Sequence, residues 1–162
     1  MEQVQTEKKY AGFWWRFLAI IIDGLILGVV KWIVITPILG VIGFGAYQVA
    51  SSGEMNEGAA IGMIGAFAGA MMMVWVFTLL AGWLYFSLME SSKFQGTVGK
   101  LALGIIVTDG DGNKISFGRA TGRYFGKFLS AIILYVGFMM AGFTANKQGL
   151  HDILAGTFVW KK

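Results

Sequence analysis

Residues 13–35 decide the fold, and they read FWWRFLAIIIDGLILGVVKWIVI. The stretch is long and apolar enough for a membrane-spanning helix, because about 20 such residues cross the hydrocarbon core of a bilayer. It nevertheless carries Arg16, Asp23 and Lys31. A carboxylate near the middle of a span costs about 2.5–3.5 kcal/mol on insertion scales, so Asp23 is expected to face a partner or water instead of lipid. Asp23 is therefore the first candidate functional residue.

Arg16 is the nearest candidate partner of Asp23 along the chain. The two residues are seven positions apart, so in a helix they lie two turns apart on nearly the same face. We expect Arg16 to act either as the charge partner of Asp23 or as an anchor at the lipid headgroups.

The composition indicates an integral membrane protein. Of the 162 residues, 56% are hydrophobic and 14% are charged, and the mean hydropathy is +0.67. Soluble domains carry about 25% charged residues. Three runs contain no charged residue: Trp32–Gly53, Gly58–Met89 and Phe128–Asn146. These runs do not alternate polar and apolar residues as the strands of a membrane barrel do, so the predicted class is all-α integral membrane.

The predicted organisation is one membrane domain, residues 13–162, after a polar N-terminal segment of residues 1–12. The first two predicted spans, at about 14–36 and 60–89, form a helical hairpin. The first span is expected to end near Pro37, because a proline disfavours helix in the residue before it. A third hydrophobic segment is predicted at about 124–145. Whether it crosses the bilayer or re-enters on the same side stays open, and so does the side of the C-terminus.

The predicted loop 90–123 is rich in lysine and arginine, whereas residues 37–57 contain glutamate and neither lysine nor arginine. By the positive-inside rule, loop 90–123 and the N-terminus are expected in the cytoplasm, and residues 37–57, which are predicted to form a loop between the first two spans, are expected outside. The predicted location is the cell membrane, crossed several times.

A small β-hairpin is predicted within this cytoplasmic loop. The turn sequence Asp109–Asn113 contains two successive Asp-Gly pairs, and it is flanked by Ile105–Thr108 and Lys114–Phe117. Such a turn between apolar runs is a strong hairpin signal.

Two kinds of surface are expected to contact partners. Three basic residues share one helix face and are predicted to bind anionic lipid headgroups: Arg119, Arg123 and Lys127. Glycines spaced four apart favour close helix approach and therefore a homo-oligomer: Gly58 with Gly62, and Gly65 with Gly69. Nucleic acid is not an expected partner, since the basic residues lie at membrane boundaries.

Neither a metal site nor a cofactor is predicted. The chain has no cysteine and one histidine, His151, which is too few soft or imidazole ligands for a typical zinc site. Gly96–Lys100 reads GTVGK, but a phosphate loop needs four residues between its glycines and a serine or threonine after the lysine. No serine is marked as a nucleophile for His151, and the protein is not predicted to be an enzyme.

These motifs in their order resemble the RDD family of membrane proteins, named for one arginine and two aspartates. The resemblance covers nearly the whole chain after residue 10. It is carried by Arg16, by Asp23, by residues 96–107 and by the closing sequence QGLHDILAGT at 148–157. The resemblance supplies Asp152 as the second aspartate.

The resemblance implies a role related to transport, with monovalent cation/proton exchange reported for some members. An embedded carboxylate suits such exchange, because either a proton or a cation neutralises it. On this hypothesis the ion or proton site comprises Asp23 and Asp152, Arg16 is the charge partner, and the accessory residues are Lys31, Lys100 and His151. One alternative is a non-transporting scaffold or accessory subunit, in which Arg16, Asp23 and Asp152 fix helix packing. Another is a lipid enzyme, which would need a polar cleft around His151.

Overall fold

The structure is a computed structural model that describes residues 9–53, 56–133 and 136–162. Most of the chain is helical, and the elements follow in the order α1 (Phe13–Ser51), α2 (Glu57–Ser91), α3 (Val98–Ala102), β1 (Ile105–Thr108), α4 (Phe117–Ile132), α5 (Val136–Phe143), α6 (Leu150–Ala155) and β2 (Phe158–Lys161). Residues 1–8 of the predicted polar segment lie outside the described residues, as do residues 54–55 of the predicted outer loop and residues 134–135 of the third segment.

Two of these helices, α1 and α2, are long and apolar enough to cross a membrane. The two long predicted spans are therefore present as helices, although α1 is longer than expected. It continues through Pro37 to Ser51, where the sequence predicted an end and a loop. The apolar run on both sides of the proline favours helix, and the Thr36 hydroxyl donates to the carbonyl of Trp32 at 2.7 Å. Such bonds help membrane helices to tolerate a proline.

The chain divides into two compact units. The apolar unit comprises Leu25–Gly82, and none of its described residues is buried. The polar unit comprises Met1–Gly24 and Trp83–Lys162, and it contains the first turns of α1, the last turns of α2 and all later elements. Its hydrophobic core includes the buried side chains of Ile105, Val107 and Val159.

The two strands form an antiparallel sheet in which Ile105 pairs with Lys161 and Thr108 with Phe158. The predicted hairpin partner of β1, Lys114–Phe117, is thus wrong. The Asp109 carboxylate does accept from the backbone N–H of Asp111 and Asn113, as a turn residue should. The chain then enters α4, because the Ser116 hydroxyl caps that helix by accepting from the Arg119 N–H at 3.3 Å.

The same sheet fixes the path of the third hydrophobic segment. Tyr10 forms a β-bridge with Trp160, so the N-terminal segment, β1 and β2 are neighbours. Hydrogen-bonded strands lie about 5 Å apart, whereas a bilayer core is about 30 Å thick. Residues 109–157 therefore leave from and return to one side of a membrane, which excludes a single full crossing. The axes of α4 and α5 accordingly differ by 103°.

Candidate functional site

Asp23 lies on the inner face of the first turns of α1. The three buried residues of this helix are Arg16, Ala19 and Asp23, and Asp23 is 1% exposed. Their spacing of three and four residues puts them on one face. Neighbouring positions such as Ile20 and Ile21 are exposed and apolar, as expected of a surface that contacts lipid. Asp23 therefore points away from the apolar face, as the sequence predicted.

Three neutral donors hold the Asp23 carboxylate. The Tyr85 hydroxyl donates to Oδ1 at 2.8 Å, the Thr97 hydroxyl to Oδ2 at 2.5 Å and the Gly99 N–H to Oδ1 at 2.7 Å. Tyr85 lies in the last turns of α2, and Thr97 directly precedes α3. These four residues form what we call the Asp23 site.

The glycine at position 99 is required by this packing. A Cβ added there would meet the carbonyl oxygen of Ala19 and would lie 2.9 Å from Cγ of Asp23. Any side chain would therefore push α1 away from the start of α3. The GTVGK motif thus supplies a threonine hydroxyl and an unobstructed backbone N–H to Asp23, and the sequence did not reveal this role.

Arg16 is bonded to Asp152, so its predicted pairing with Asp23 is wrong. Its Nη1 donates to Oδ2 of Asp152, its Nε to the Ala11 carbonyl at 2.9 Å, and its Nη2 to the Lys147 carbonyl at 2.5 Å. Although Arg16 and Asp23 share a helix face, two turns separate them and each finds a nearer partner across the fold.

A second, larger cluster contains most of the buried charges. It links two carboxylates to four basic side chains, and we call it the charge network: Arg16, Glu90, Lys100, Arg123, Lys127 and Asp152. Glu90 is paired with Lys100, and its carboxylate oxygens lie 3.7 Å from Nη1 of Arg123 and 3.9 Å from Nζ of Lys127. Arg123 also approaches Asp152, with Nη2 2.9 Å from Oδ1. Arg123 therefore connects the two carboxylates.

The environment shifts the pKa of several groups that lie outside the long helices, among them Asp152, Lys100 and His151. Burial alone would raise the pKa of Asp152, but the charges of Arg123 and Arg16 outweigh it and hold that pKa below its ordinary value. Burial lowers the pKa of Lys100 to about 7, against the opposing effect of Glu90. Burial also lowers the pKa of His151 to about 3, so His151 is neutral at physiological pH.

His151 lies beside a serine that the sequence did not mark. Nδ1 of His151 is 3.4 Å from the Ser130 hydroxyl, and Nε2 is 3.4 Å from Oδ1 of Asp152. However, Ser130 is fully buried and donates to the carbonyl of Gly126 at 2.9 Å. His151 is itself buried, so the polar cleft expected for a lipid enzyme does not open at these residues.

The remaining residues that the sequence predicted to be functional lie in different parts of the structure. Lys31 lies in the apolar unit and is partly exposed. The basic residues predicted to share one face of α4 differ in exposure. Arg119 is exposed, whereas Arg123 is 2% exposed and belongs to the charge network. The described residues contain no group of three or more histidine, cysteine, aspartate or glutamate side chains suited to a metal ion.

The sequence did not predict a role for Glu90, whose carboxylate lies within 4.0 Å of three of the four basic residues of the charge network. One signal was available: Glu90 is the first charged residue after the charge-free run Gly58–Met89. Tyr85 and Thr97 carried no such signal, because they lie 62 and 74 positions from Asp23 along the chain and contact it only in the folded structure.

Comparison with known proteins finds relatives that match nearly the whole chain. The uncharacterized protein YxaI of Bacillus subtilis (strain 168) is 42% identical over 154 residues, which cover 94% of this chain and 97% of the relative. The uncharacterized membrane protein YteJ of the same strain is 28% identical over 156 residues, which cover 93% of this chain and 80% of the relative. No solved structure matches the chain. The model of the RDD family matches residues 10–156, and the chain belongs to this family of membrane proteins.

Proposed function

We propose that this RDD family membrane protein is transport-related and that Asp23 exchanges a proton for a monovalent cation. The observation that carries the proposal is the set of groups around the buried Asp23 carboxylate. Glu90 and Asp152, the other buried carboxylates of the described chain, each have at least two basic partners within 4.0 Å. Asp23 has no such partner among the described residues. A buried charge without a counter-charge is costly, so binding a proton or a cation stabilises it.

The atoms around Asp23 are suitable ligands for a small hard cation. The hydroxyl groups of Tyr85 and Thr97 donate to the carboxylate, but each oxygen also has lone pairs that can accept. Oxygen ligands of this kind suit alkali and alkaline-earth ions, and a single carboxylate balances a single positive charge. The Asp23 site therefore favours a monovalent ion over a divalent one.

Exchange requires the Asp23 site to open. The carboxylate is 1% exposed and is covered by the end of α2 and the start of α3. We infer that Tyr85, Thr97 and Gly99 move away from α1 when the ion enters, and that they close again over the protonated or cation-bound acid. The role predicted for Asp152 is reassigned in this proposal, because two arginines already neutralise it.

The test compares wild-type protein with Asp23→Asn in proteoliposomes that carry a pH gradient. Asparagine keeps the size of the side chain but lacks the negative charge that a proton or cation would neutralise, so cation-dependent dissipation of the gradient should fall to background. Asp111→Asn is the matched control, since Asp111 is an exposed turn carboxylate, and its flux should equal that of the wild type. Wild-type flux in Asp23→Asn would contradict the proposal, provided that thermal unfolding confirms a folded variant.

The second candidate function is a non-transporting scaffold. It is favoured by the three hydrogen bonds of Asp23, which tie α1 to α2 and α3, and by the Arg16–Asp152 pair, which ties α1 to α6. On this hypothesis wild-type vesicles show no flux, and Asp23→Asn lowers the unfolding temperature instead. The two hypotheses thus differ in the behaviour of the wild-type protein.

The proposed setting is the cell membrane, with the N-terminus in the cytoplasm and with membrane lipids as partners. The glycine spacing of α2 supports a homo-oligomer, because a Cβ added at Gly62, Gly65 or Gly69 would meet no described atom within 4 Å. Gly126 of α4 differs, since its absent side chain makes room for His151. Crosslinking in native membranes tests the oligomer, and cysteine labelling from each side tests the orientation.

A further inference from the structure

Helix α4 buries its polar side and exposes its apolar side, which is the reverse of a helix on the surface of a water-soluble protein. Arg123 and Ser130 are buried against the rest of the polar unit. Phe125 is 57% exposed and Ile132 is 76% exposed, and their spacing of seven residues puts them on one face of the helix. From Gly122 to the end of α4, every exposed residue is apolar. An exposed apolar face of this extent marks a surface that contacts protein or membrane.

The same reversal continues in the two short helices that follow. The helix α5 contains no charged residue, and it exposes Val136, Met139 and Phe143. The helix α6 buries Asp152, whereas Leu154 is 59% exposed. The exposed charged residues described in the polar unit lie elsewhere, before α4, in its first turn or after β2: Lys9, Lys93, Asp111, Lys114, Arg119 and Lys162. The polar unit therefore has a charged surface near the sheet and an apolar surface along α4 and α5.

The apolar surface of α4 and α5 adjoins the two long helices. Nε1 of Trp83 in α2 donates to the hydroxyl of Thr121 in α4 at 3.1 Å. A Cβ added at Gly142 of α5 would lie 3.9 Å from Cβ of Phe13, the first residue of α1. One turn further along α1, Phe17 is exposed as well. Because α1 and α2 are the helices long and apolar enough to cross a membrane, lipid that covers them also reaches the neighbouring faces of α4 and α5.

The dimensions of α4 and α5 limit how far this surface enters a bilayer. With 16 and 8 residues, the two helices are about 24 Å and 12 Å long, so each is shorter than the hydrocarbon core of about 30 Å. Their axes differ by 103°, so the two lengths do not add along one direction. The chain also returns to the sheet from which it left. The pair therefore fits within one leaflet.

We propose that α4 and α5 form a re-entrant wedge whose exposed apolar face contacts the acyl chains of one leaflet, on the side of the membrane where the sheet lies. The lipid-contacting face of α4 is then opposite to the basic face that the sequence predicted to bind headgroups. Acyl chains suit this face better than a second copy of the chain, because the same apolar surface continues onto α1 and α2. The wedge is separate from the Asp23 site and does not depend on the proposed transport.

Spin labelling of single cysteines in the full chain, reconstituted in phosphatidylcholine vesicles, tests the wedge. The chain contains no cysteine, so Phe125→Cys, Ile132→Cys and Phe143→Cys each carry one label at an exposed position. Molecular oxygen concentrates in the bilayer, whereas a water-soluble nickel chelate is excluded from it. We expect the ratio of oxygen to nickel accessibility to be several-fold higher at these three positions than in the matched control Asn113→Cys, which lies in the exposed turn before α4.

The depth of the labels distinguishes the remaining arrangements. Calibrated with lipids that carry spin labels along the acyl chain, the three positions should lie above the midplane, which is about 15 Å below the edge of the hydrocarbon core. A label beyond the midplane would overturn insertion into one leaflet. Nickel accessibility equal to that at Asn113 would show that the face lies in water. Exclusion of both reagents would show that protein covers the face, and dipolar broadening lost on dilution with unlabelled protein would identify that protein as a second copy.

Discussion

The polar and apolar units use the same two long helices in opposite ways. Within the polar unit, α1 and α2 bury Arg16, Asp23 and Glu90 on one face, and each of these side chains has a specific partner. Within the apolar unit, the described residues of both helices expose large apolar side chains such as Leu25 and Ile64. In this chain the buried charges with specific partners lie in the polar unit, whereas no described residue of the apolar unit is buried, which is the exposure expected of helix surfaces that face lipid.

The largest expected effect is on Asp152. Asp152→Asn would leave Arg16 and Arg123 without their carboxylate, and removing one partner of a buried ion pair costs about 3–5 kcal/mol. Unfolding in mixed micelles should show this loss. Asp111→Asn, at an exposed turn, should leave stability nearly unchanged. Equal effects of the two substitutions would remove the contrast between buried and exposed acids.

A smaller loss is expected where α1 contacts α3. Gly99→Ala would place a methyl group against Ala19 and Asp23, and such overpacking costs about 1–3 kcal/mol. Gly122→Ala is the matched control, because open space surrounds that position in α4 and alanine favours helix by about 0.5–1 kcal/mol. The two alanine substitutions should therefore change the unfolding temperature in opposite directions.

The pH dependence of stability should reveal the lowered pKa of His151. Its pKa is lowered to about 3 in the folded protein, so between that value and its ordinary pKa near 6.5 the unfolded chain binds more protons. Stability should therefore fall as the pH decreases from about 6.5 to 5, by roughly 1–2 kcal/mol. His151→Asn should flatten the curve in this window, which lies above the ordinary pKa of the carboxylates. An unchanged slope would contradict the buried, neutral histidine.

The smallest effect is expected in the apolar unit. Ile64 is 71% exposed, and Ile64→Ala should change the unfolding free energy in micelles by less than about 0.5 kcal/mol. The comparison is Ile105→Ala, which empties a fully buried position of the polar unit and should cost about 2–5 kcal/mol. A large loss from Ile64→Ala would indicate that another chain or helix covers this face.

The sequence predicted the two long apolar helices because hydrophobic length is a local property. It also predicted that Asp23 faces away from lipid, because a carboxylate in an apolar helix is costly to expose to lipid. The predicted end of the first span near Pro37 was wrong, because the helical preference of the surrounding apolar residues outweighs the effect of one proline. The predicted strand pairing was also wrong, because β1 pairs with a strand about 50 positions away that no local turn signal announces.

The sequence by itself therefore determined the class of the protein and which residues carry charge within apolar surroundings. Only the tertiary structure decided the pairing of those charges: Arg16 with Asp152, Glu90 with three basic side chains, and Asp23 with neutral donors alone. The physical reason is that a buried charge is stabilised by whichever group the fold brings within a few ångströms, and separation along the chain does not measure that distance.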